Sequence, residues 1–176
     1  SIIALIMLLL LSSLTSCSSI ENLFSRVTVN EVNTEVLVLA DGTVQMTEIF
    51  EVSAPAESWD LNLELPALAN GSAELLNIGI ATSGINPIPI YTQFEEEADD
   101  KGGNSPAFYV KKVSDERTTV RMSTRFGMGE WLIKAEWLVS DAVVQNGTQA
   151  LLSLPILTLD MKDSPETFNA SLIFPE

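Results

Sequence analysis

From Val27 onward, apolar and polar side chains alternate along the chain with a period of two residues. The clearest stretch is 58–65, where Trp59, Leu61, Leu63 and Leu65 alternate with Ser58, Asp60, Asn62 and Glu64. Because successive side chains of a β-strand point to opposite faces of its sheet, this alternation predicts half-buried strands. The same pattern predicts strands at 74–81, 87–93, 107–113, 117–125, 130–139, 149–158 and 166–174.

A strong hairpin signal is present at Asp41-Gly42, between the alternating runs 36–39 and 44–52. Asp-Gly favours a two-residue hairpin turn because both turn residues must accept positive φ. No window predicts an amphipathic helix of ten or more residues, and most prolines lie near the ends of the alternating runs. We therefore predict an all-β fold, an antiparallel β-sandwich of about nine or ten short strands. The run 95–106 predicts a loop that divides this sandwich into two halves.

The first 16 residues have a different pattern, which is typical of a targeting segment. Residues 2–11 form a continuous apolar run, and residues 12–16 are mostly small and polar. This run is shorter than the roughly 20 residues of a membrane-spanning helix, but it has the length of the apolar region of a signal peptide. Signal peptides begin with a charged segment, so we expect a few residues to precede Ser1.

Cys17 is the only cysteine, and it follows this segment directly in the sequence Leu14-Thr15-Ser16-Cys17. This sequence resembles the lipobox of bacterial lipoproteins. The resemblance implies that a diacylglycerol is attached to the sulfur of Cys17 and that the chain is cleaved just before it. Because Ser18 rather than Asp follows the cysteine, it also implies an outer-membrane location in a Gram-negative host. The alternative is an ordinary signal peptide with an incidental cysteine.

These patterns divide the chain into three parts. Residues 1–16 are predicted to be a lipoprotein signal peptide, residues 17–26 a lipidated tether, and residues 27–176 a β-sandwich domain. A domain of this length buries enough surface to fold without disulfides.

Composition narrows the functions that this domain could have. The formal net charge is −15, and so acidic a surface repels nucleic acid and anionic lipid head groups. Histidine is absent, which removes the commonest general base and the commonest transition-metal ligand. A single cysteine allows neither an intrachain disulfide nor a cysteine-based zinc site. We therefore expect no cofactor and no nucleic-acid partner.

Several segments are similar, in the same order, to a known family. The sequence Val36-x-Val38-x-x-Asp41-Gly42-Thr43-Val44-x-Met46-Thr47-Glu48-x-Phe50 resembles the opening of the extracytoplasmic N-terminal domain of the YciQ-like bacterial membrane proteins. The segments 117–125, 129–137 and 168–176 resemble later strands of that domain. The resemblance implies an extracytoplasmic domain of unknown function without established catalytic residues. Family members usually continue into membrane helices, so we expect either such a continuation beyond Glu176 or a domain reused on a lipid anchor.

Glu48 is a candidate site residue because it lies on the same predicted strand face as Val44, Met46, Phe50 and Val52. An unpaired buried carboxylate is costly, so a cationic partner is expected. The candidates for this partner are Arg117, Arg121 and Arg125. Structural pairing is the first interpretation of Glu48, and ligand binding is the alternative.

Other acidic and aromatic residues are also candidates for a site. Oxygen ligands for Ca²⁺ could come from Glu95, Glu96, Glu97, Asp99 and Asp100, or from Asp160, Asp163 and Glu166. Runs of like charge, however, usually mark solvated loops. A sugar-stacking platform could be formed by Trp59, Trp131 and Trp137, although their apolar strand faces favour core packing. A pair of carboxylates could hydrolyse glycosides, but no spacing singles one out, and we predict no catalytic residue.

The sequence therefore predicts a non-enzymatic, lipid-anchored, extracytoplasmic β-sandwich domain of a cell-envelope lipoprotein. Its predicted contacts are the membrane, through the lipid on Cys17, and an envelope protein partner. The alternative function is a ligand-binding module for a glycan or Ca²⁺. The pairs Asn70-Gly71 and Asn146-Gly147 match part of a glycosylation pattern but predict turns.

Overall fold

The computed structural model of this chain describes residues 27–66, 71–84, 88–98, 105–114, 117–146, 149–159 and 165–175. The predicted signal peptide (1–16) and tether (17–26), including Cys17, lie outside these residues. The candidate calcium ligands Asp99, Asp100, Asp160 and Asp163 lie outside them as well.

The described residues form twelve β-strands and no helix, which confirms the all-β fold. The strands are β1 (Thr28–Val38), β2 (Val44–Ala54), β3 (Trp59–Pro66), β4 (Ala73–Thr82), β5 (Thr92–Gln93), β6 (Glu95–Glu96), β7 (Ala107–Val113), β8 (Arg117–Thr124), β9 (Gly129–Val139), β10 (Val143–Asn146), β11 (Gln149–Leu152) and β12 (Thr167–Ile173). Their number exceeds the predicted nine or ten because β6 and β10 are too short to show a clear alternation. Two predicted strands are too long, since only Thr92–Gln93 of 87–93 and only Gln149–Leu152 of 149–158 form strands among the described residues.

Two sheets form the sandwich. The first contains six strands in the order β12-β1-β2-β9-β4-β5, and the second contains four in the order β3-β8-β7-β6. Most neighbours are antiparallel, but β12 runs parallel to β1 and β6 runs parallel to β7. Strands β10 and β11 form a separate antiparallel pair with Asn146 opposite Gln149. Gly147, the second residue of the predicted Asn146-Gly147 turn, lies outside the described residues.

The hydrophobic core lies between the two sheets and follows the predicted alternation. In β2, every second residue from Val44 to Ala54 is buried. The facing sheet contributes alternate residues of β3 and β8 to the same continuous cluster: Trp59, Leu61, Leu63, Leu65, Val120 and Met122. Burial of apolar surface contributes about 25 cal/mol per Å², so this shared face holds the sheets together.

The β1–β2 hairpin forms at the predicted position, but its turn has a different geometry. It contains three residues, Ala40 to Gly42, closed by bonds from Leu39 N–H to Thr43 O (2.8 Å) and from Gly42 N–H to Leu39 O (3.0 Å). Of the turn residues only Gly42 has positive φ (+84°), while Asp41 Oδ1 accepts a hydrogen bond from Thr43 N–H (2.9 Å). The expectation of two positive φ angles is therefore wrong, because a type I turn followed by a left-handed glycine requires only one.

The run 95–106 is not a plain loop, and it does not divide the sandwich into halves. Glu95 and Glu96 form β6 and pair with Phe108 and Tyr109 of β7. Each sheet contains strands from both sides of this run, since β9 lies between β2 and β4 and β8 lies beside β3. That prediction is wrong because alternation identifies strands but not the distant strands with which they pair.

Candidate functional site

Glu48 is the candidate residue that the structure places inside the sandwich. It lies in the middle of β2, opposite Thr34 of β1 and Ala135 of β9. Its side chain is 0% exposed, as are those of Met46 and Phe50 on the same strand face. The predicted strand face of Glu48 is therefore confirmed.

Both carboxyl oxygens of Glu48 accept hydrogen bonds from neutral donors. Oε1 accepts one from the backbone N–H of Thr158 at 2.9 Å. Oε2 accepts one from the Thr158 hydroxyl at 2.6 Å and another from Trp137 Nε1–H at 3.1 Å. Buried polar groups are ordinarily hydrogen-bonded in this way, and here the carboxyl group is satisfied without a cation.

Thr158 is held next to Glu48 by the outer edge of the second sheet. The carbonyl of Thr158 accepts a hydrogen bond from Glu64 N–H, and Leu159 forms an isolated antiparallel bridge with Leu63. The segment around Thr158 therefore extends the second sheet beyond β3. Because Thr158 also donates to Glu48 of β2, this residue pair links the two sheets across the core.

Burial raises the pKa of Glu48 to about 7, because the charged form loses its solvation. The hydrogen bonds from Thr158 and Trp137 favour the charged form and oppose this rise. A pKa near neutrality also suits a general acid or base. Glu48 is enclosed, however, and both of its oxygens are occupied by protein donors. This geometry favours the structural interpretation over ligand binding.

The prediction that an arginine pairs with the buried carboxyl group of Glu48 is wrong. Arg117 and Arg121 lie on the outer face of β8, where Arg117 pairs with Glu64 and Arg121 Nη2 lies 2.7 Å from Asp60 Oδ2. Arg125 is exposed just after the end of β8. The inner face of this strand consists of Thr118, Val120, Met122 and Thr124. The core therefore accommodates the carboxyl group through neutral donors and a raised pKa instead of a cation.

Thr158 is the residue of this site that sequence reasoning missed. It falls in the predicted strand 149–158, but nothing in the local pattern distinguishes its hydroxyl from those of other threonines. Glu48 and Thr158 are 110 residues apart. The only available signal was the buried position of Glu48, which requires some donor nearby.

Two of the three tryptophans are core residues, as their strand faces predict. Trp59 and Trp137 are 3% and 0% exposed, so neither offers a ring face to a sugar. Trp131 is half-buried, donates from Nε1–H to Gly127 O (3.2 Å), and has its ring 5.6 Å from that of Phe126. A three-tryptophan sugar platform is therefore contradicted by the burial of Trp59 and Trp137.

The acidic residues considered for Ca²⁺ are described only in part. Glu96 Oε2 accepts a hydrogen bond from the Tyr109 hydroxyl (3.1 Å), and Lys111 Nζ lies 3.9 Å from Glu96 Oε1. Glu166 donates its backbone N–H to Val29 O (3.3 Å) at the start of β12. Within the described ranges, no three acidic, histidine or cysteine side chains form a group that could hold a metal ion.

Two surface grooves lie next to β12. One, of about 350 Å³, is on the outer side of the first sheet and is lined by Asn33, Thr34, Glu35, Thr47, Ile49, Asn169, Ala170 and Ser171. The other, of about 480 Å³, lies beside the β1–β2 turn and includes Leu39, Asp41, Leu152 and Phe174. Among the described residues, the first groove is lined by one carboxylate, Glu35, and the second by one, Asp41.

No protein-family model and no curated protein matches this sequence. Among the residues that the structure describes, no helix is long and apolar enough to cross a membrane.

Proposed function

We propose that this chain is a non-enzymatic, lipid-anchored domain of the bacterial cell envelope. Cys17 carries the lipid, the domain lies on the extracytoplasmic side, and the β-sandwich serves protein contact or envelope structure. The observation that carries the proposal is the position of the only cysteine, directly after an apolar run that ends in small residues. A lone thiol cannot form an intrachain disulfide, so lipid attachment gives it a chemical role at this position.

The proposed anchor is strong enough to hold an acidic domain at a bilayer. Each buried methylene contributes about 0.8 kcal/mol, so one acyl chain binds marginally while two or three bind firmly. From Cys17 to Val27, the first buried residue of the sandwich, an extended chain reaches about 35 Å. This reach exceeds the screening length of about 8 Å at physiological salt. A tether of this reach allows the domain, which has most of the net charge of −15, to lie beyond the distance at which it repels anionic lipid.

The polar residues of the YciQ-like hairpin motif have folding roles, which supports a structural domain. Asp41 Oδ1 accepts a hydrogen bond from Thr43 N–H within the turn, and Gly42 supplies the positive φ. Glu48 is enclosed and bonded to Thr158. Asp41 and Gly42 shape the exposed turn and Glu48 bonds in the core, as expected if the motif specifies a shape and not a reaction.

The proposal is tested by metabolic labelling with an alkyne fatty acid in a bacterium that processes lipoproteins, followed by mass spectrometry of the N-terminus. We expect the protein to take up label, to begin at Cys17, and to carry the added mass of a diacylglycerol. Cys17→Ala should lose the label, because the acyl acceptor is gone. The matched control Ser18→Ala, at the next position, should keep it.

Two results would overturn the anchor. One is a wild-type protein without label whose mature chain begins at another residue or retains the leader. The other is label of equal intensity on Cys17→Ala. Circular dichroism of the variants should show the same β-rich spectrum, because Cys17 lies ten residues before the first buried residue of the sandwich.

A further inference from the structure

Strand β12 is an open and uncharged sheet edge. Among the described strands it pairs only with β1, so the backbone groups on its other side have no partner strand. All seven of its residues are exposed. None has an ionisable side chain, although the chain as a whole has a net charge of −15. Unpaired sheet edges are templates for the addition of another strand.

The other edges of the two main sheets are protected along part of their length. The outer edge of β3 is covered where Glu64 N–H bonds to Thr158 O and Leu63 pairs with Leu159. Strands β5 and β6 have two residues each, and β6 consists of two glutamates. Covering segments, short strands and charges are the usual means by which proteins block edge pairing. Strand β12 is seven residues long and has none of these features.

Apolar side chains on the inner side of β12 extend beyond the cover of the second sheet. Phe168 and Leu172 lie opposite Val32 and Val36 of β1, so they point toward the core side. Val32 and Val36 are 0% and 2% exposed, but Phe168 and Leu172 are 37% and 48% exposed. The first sheet has six strands and the second four, which leaves this margin incompletely covered. A strand added to β12 would bury both side chains further.

We propose that β12 pairs with the β12 of a second copy of this chain, antiparallel about a two-fold axis at Ala170. A two-fold interface must be self-complementary, and the sequence of this strand meets that condition. In this register Phe168 lies opposite Leu172 on the inner side and Asn169 lies opposite Ser171 on the outer side. Ala170 faces its own copy at the axis, where its small side chain permits close approach. No carboxylate of either strand faces another, so the paired strands themselves contain no like-charge contact.

The pairing is tested by disulfide cross-linking of single-thiol variants in a Cys17→Ser background, which removes the only native thiol. The experiments are done in a non-ionic detergent, which prevents aggregation of the protein through the apolar residues 2–11. Directly opposed residues of antiparallel strands have Cα atoms about 4.5–5.5 Å apart, which lies within the range of about 4.4–6.8 Å found in disulfides. We expect Ala170→Cys to form a covalent dimer on mild oxidation. The matched control Thr167→Cys should cross-link at least tenfold more slowly, because its two thiols would lie about 20 Å apart along the strands.

Two further variants test the register of the pairing and the dependence of the dimer on the β12 edge. Adding Ile173→Cys to Thr167→Cys should restore fast cross-linking, because these two positions face each other across the axis. Ala170→Lys should lower the mass in sedimentation equilibrium from two chains to one, with an unchanged far-ultraviolet spectrum. Higher salt should favour the dimer, since it screens repulsion between two acidic domains.

The proposal is overturned if Ala170→Cys and Thr167→Cys cross-link at equal rates, which would indicate collision within the detergent. It is also overturned if the Cys17→Ser chain has the mass of one chain at all concentrations. The β12 edge would then be available to a strand of another protein. Every variant lacks Cys17, so these results are independent of the proposed lipid anchor.

Discussion

Glu48 and Thr158 are joined in the core by two hydrogen bonds, although 110 residues separate them in the sequence. The backbone N–H of Thr158 donates to Oε1 at 2.9 Å, and its hydroxyl donates to Oε2 at 2.6 Å. Glu48 belongs to the first sheet, and the segment containing Thr158 is paired with the second. This contact therefore connects the two layers of the sandwich through a group that titrates near neutral pH.

We expect Glu48→Gln to remove part of the pH dependence of stability. The pKa of Glu48 is raised from 4.5 to about 7 in the folded protein, so the folded state binds the proton more tightly than the unfolded state. The resulting stabilisation is fully present below pH 4.5 and is lost as the pH rises through about 7. It amounts to about 3 kcal/mol. Between these limits, the free energy of unfolding of the wild type should fall by about this amount relative to that of Glu48→Gln.

Urea denaturation at several pH values measures this difference. Glu74→Gln removes an exposed carboxylate of β4 and is the matched control. Its free energy of unfolding should follow that of the wild type throughout the range. A difference between wild type and Glu48→Gln that stays constant from pH 4.5 to pH 8 would contradict the raised pKa.

Thr158→Val should destabilise the protein by about 1–3 kcal/mol, because it leaves a buried carboxyl oxygen without its hydroxyl donor. It should also raise the pKa of Glu48 further, since the hydrogen bonds from Thr158 favour the charged form. Equilibrium denaturation measures the loss, which should be larger at pH 8 than at pH 5. Thr119→Val, on the outer face of β8, should change stability by less than about 0.5 kcal/mol. Equal losses for the two variants would show that the Thr158 hydroxyl is unimportant.

Gly42→Ala should destabilise the β1–β2 hairpin by about 1–2 kcal/mol, because φ at this position is +84° and a side chain is strained there. Gly42→Asn should lose less stability, since asparagine adopts this conformation more readily. Thermal unfolding of the two variants measures the difference. If alanine and asparagine were equally harmful, the cause would lie in side-chain bulk and not in backbone conformation.

Titration of the two tyrosines by ultraviolet absorbance checks the position of β6. Burial raises the pKa of Tyr109, and the hydrogen-bonded, negatively charged Glu96 raises it further, to about 12. Glu96→Gln should lower the pKa of Tyr109, because the neighbouring charge is removed. Glu95→Gln, one residue away on the same exposed strand, should leave that pKa where it is. An unchanged titration in Glu96→Gln would mean that β6 does not lie beside β7.

Most of the longer strands were predictable from sequence, but their partners were not. The alternation in 107–113 gives the bounds of β7, and that in 117–125 and 130–139 gives β8 and β9 to within one residue. These patterns report which face of a strand is buried, which is a local property. The parallel pairing of β12 with β1 depends on contacts between opposite ends of the domain, and no local pattern encodes it.

The burial of Glu48 was predictable because alternation reports which face of a strand is buried. Its hydrogen-bond partner was not predictable. The position of Arg117 and Arg121 could have been inferred correctly from alternation, because Val120 and Met122 mark the opposite face of β8 as the inner one. The expectation of a cation followed from the cost of a buried charge. A buried carboxyl group can instead become neutral near pH 7, and then neutral donors such as Thr158 are sufficient.

The parallel pairing of β1 with β12 joins the first and last described strands. Asn169 donates a hydrogen bond to Asn33 across this pair at 3.1 Å, over 136 residues of sequence. Contacts of such long range form late, because the entropy of closing the intervening chain must be overcome first. A polypeptide that emerges N-terminus first therefore holds an incomplete first sheet until nearly all of the domain is present.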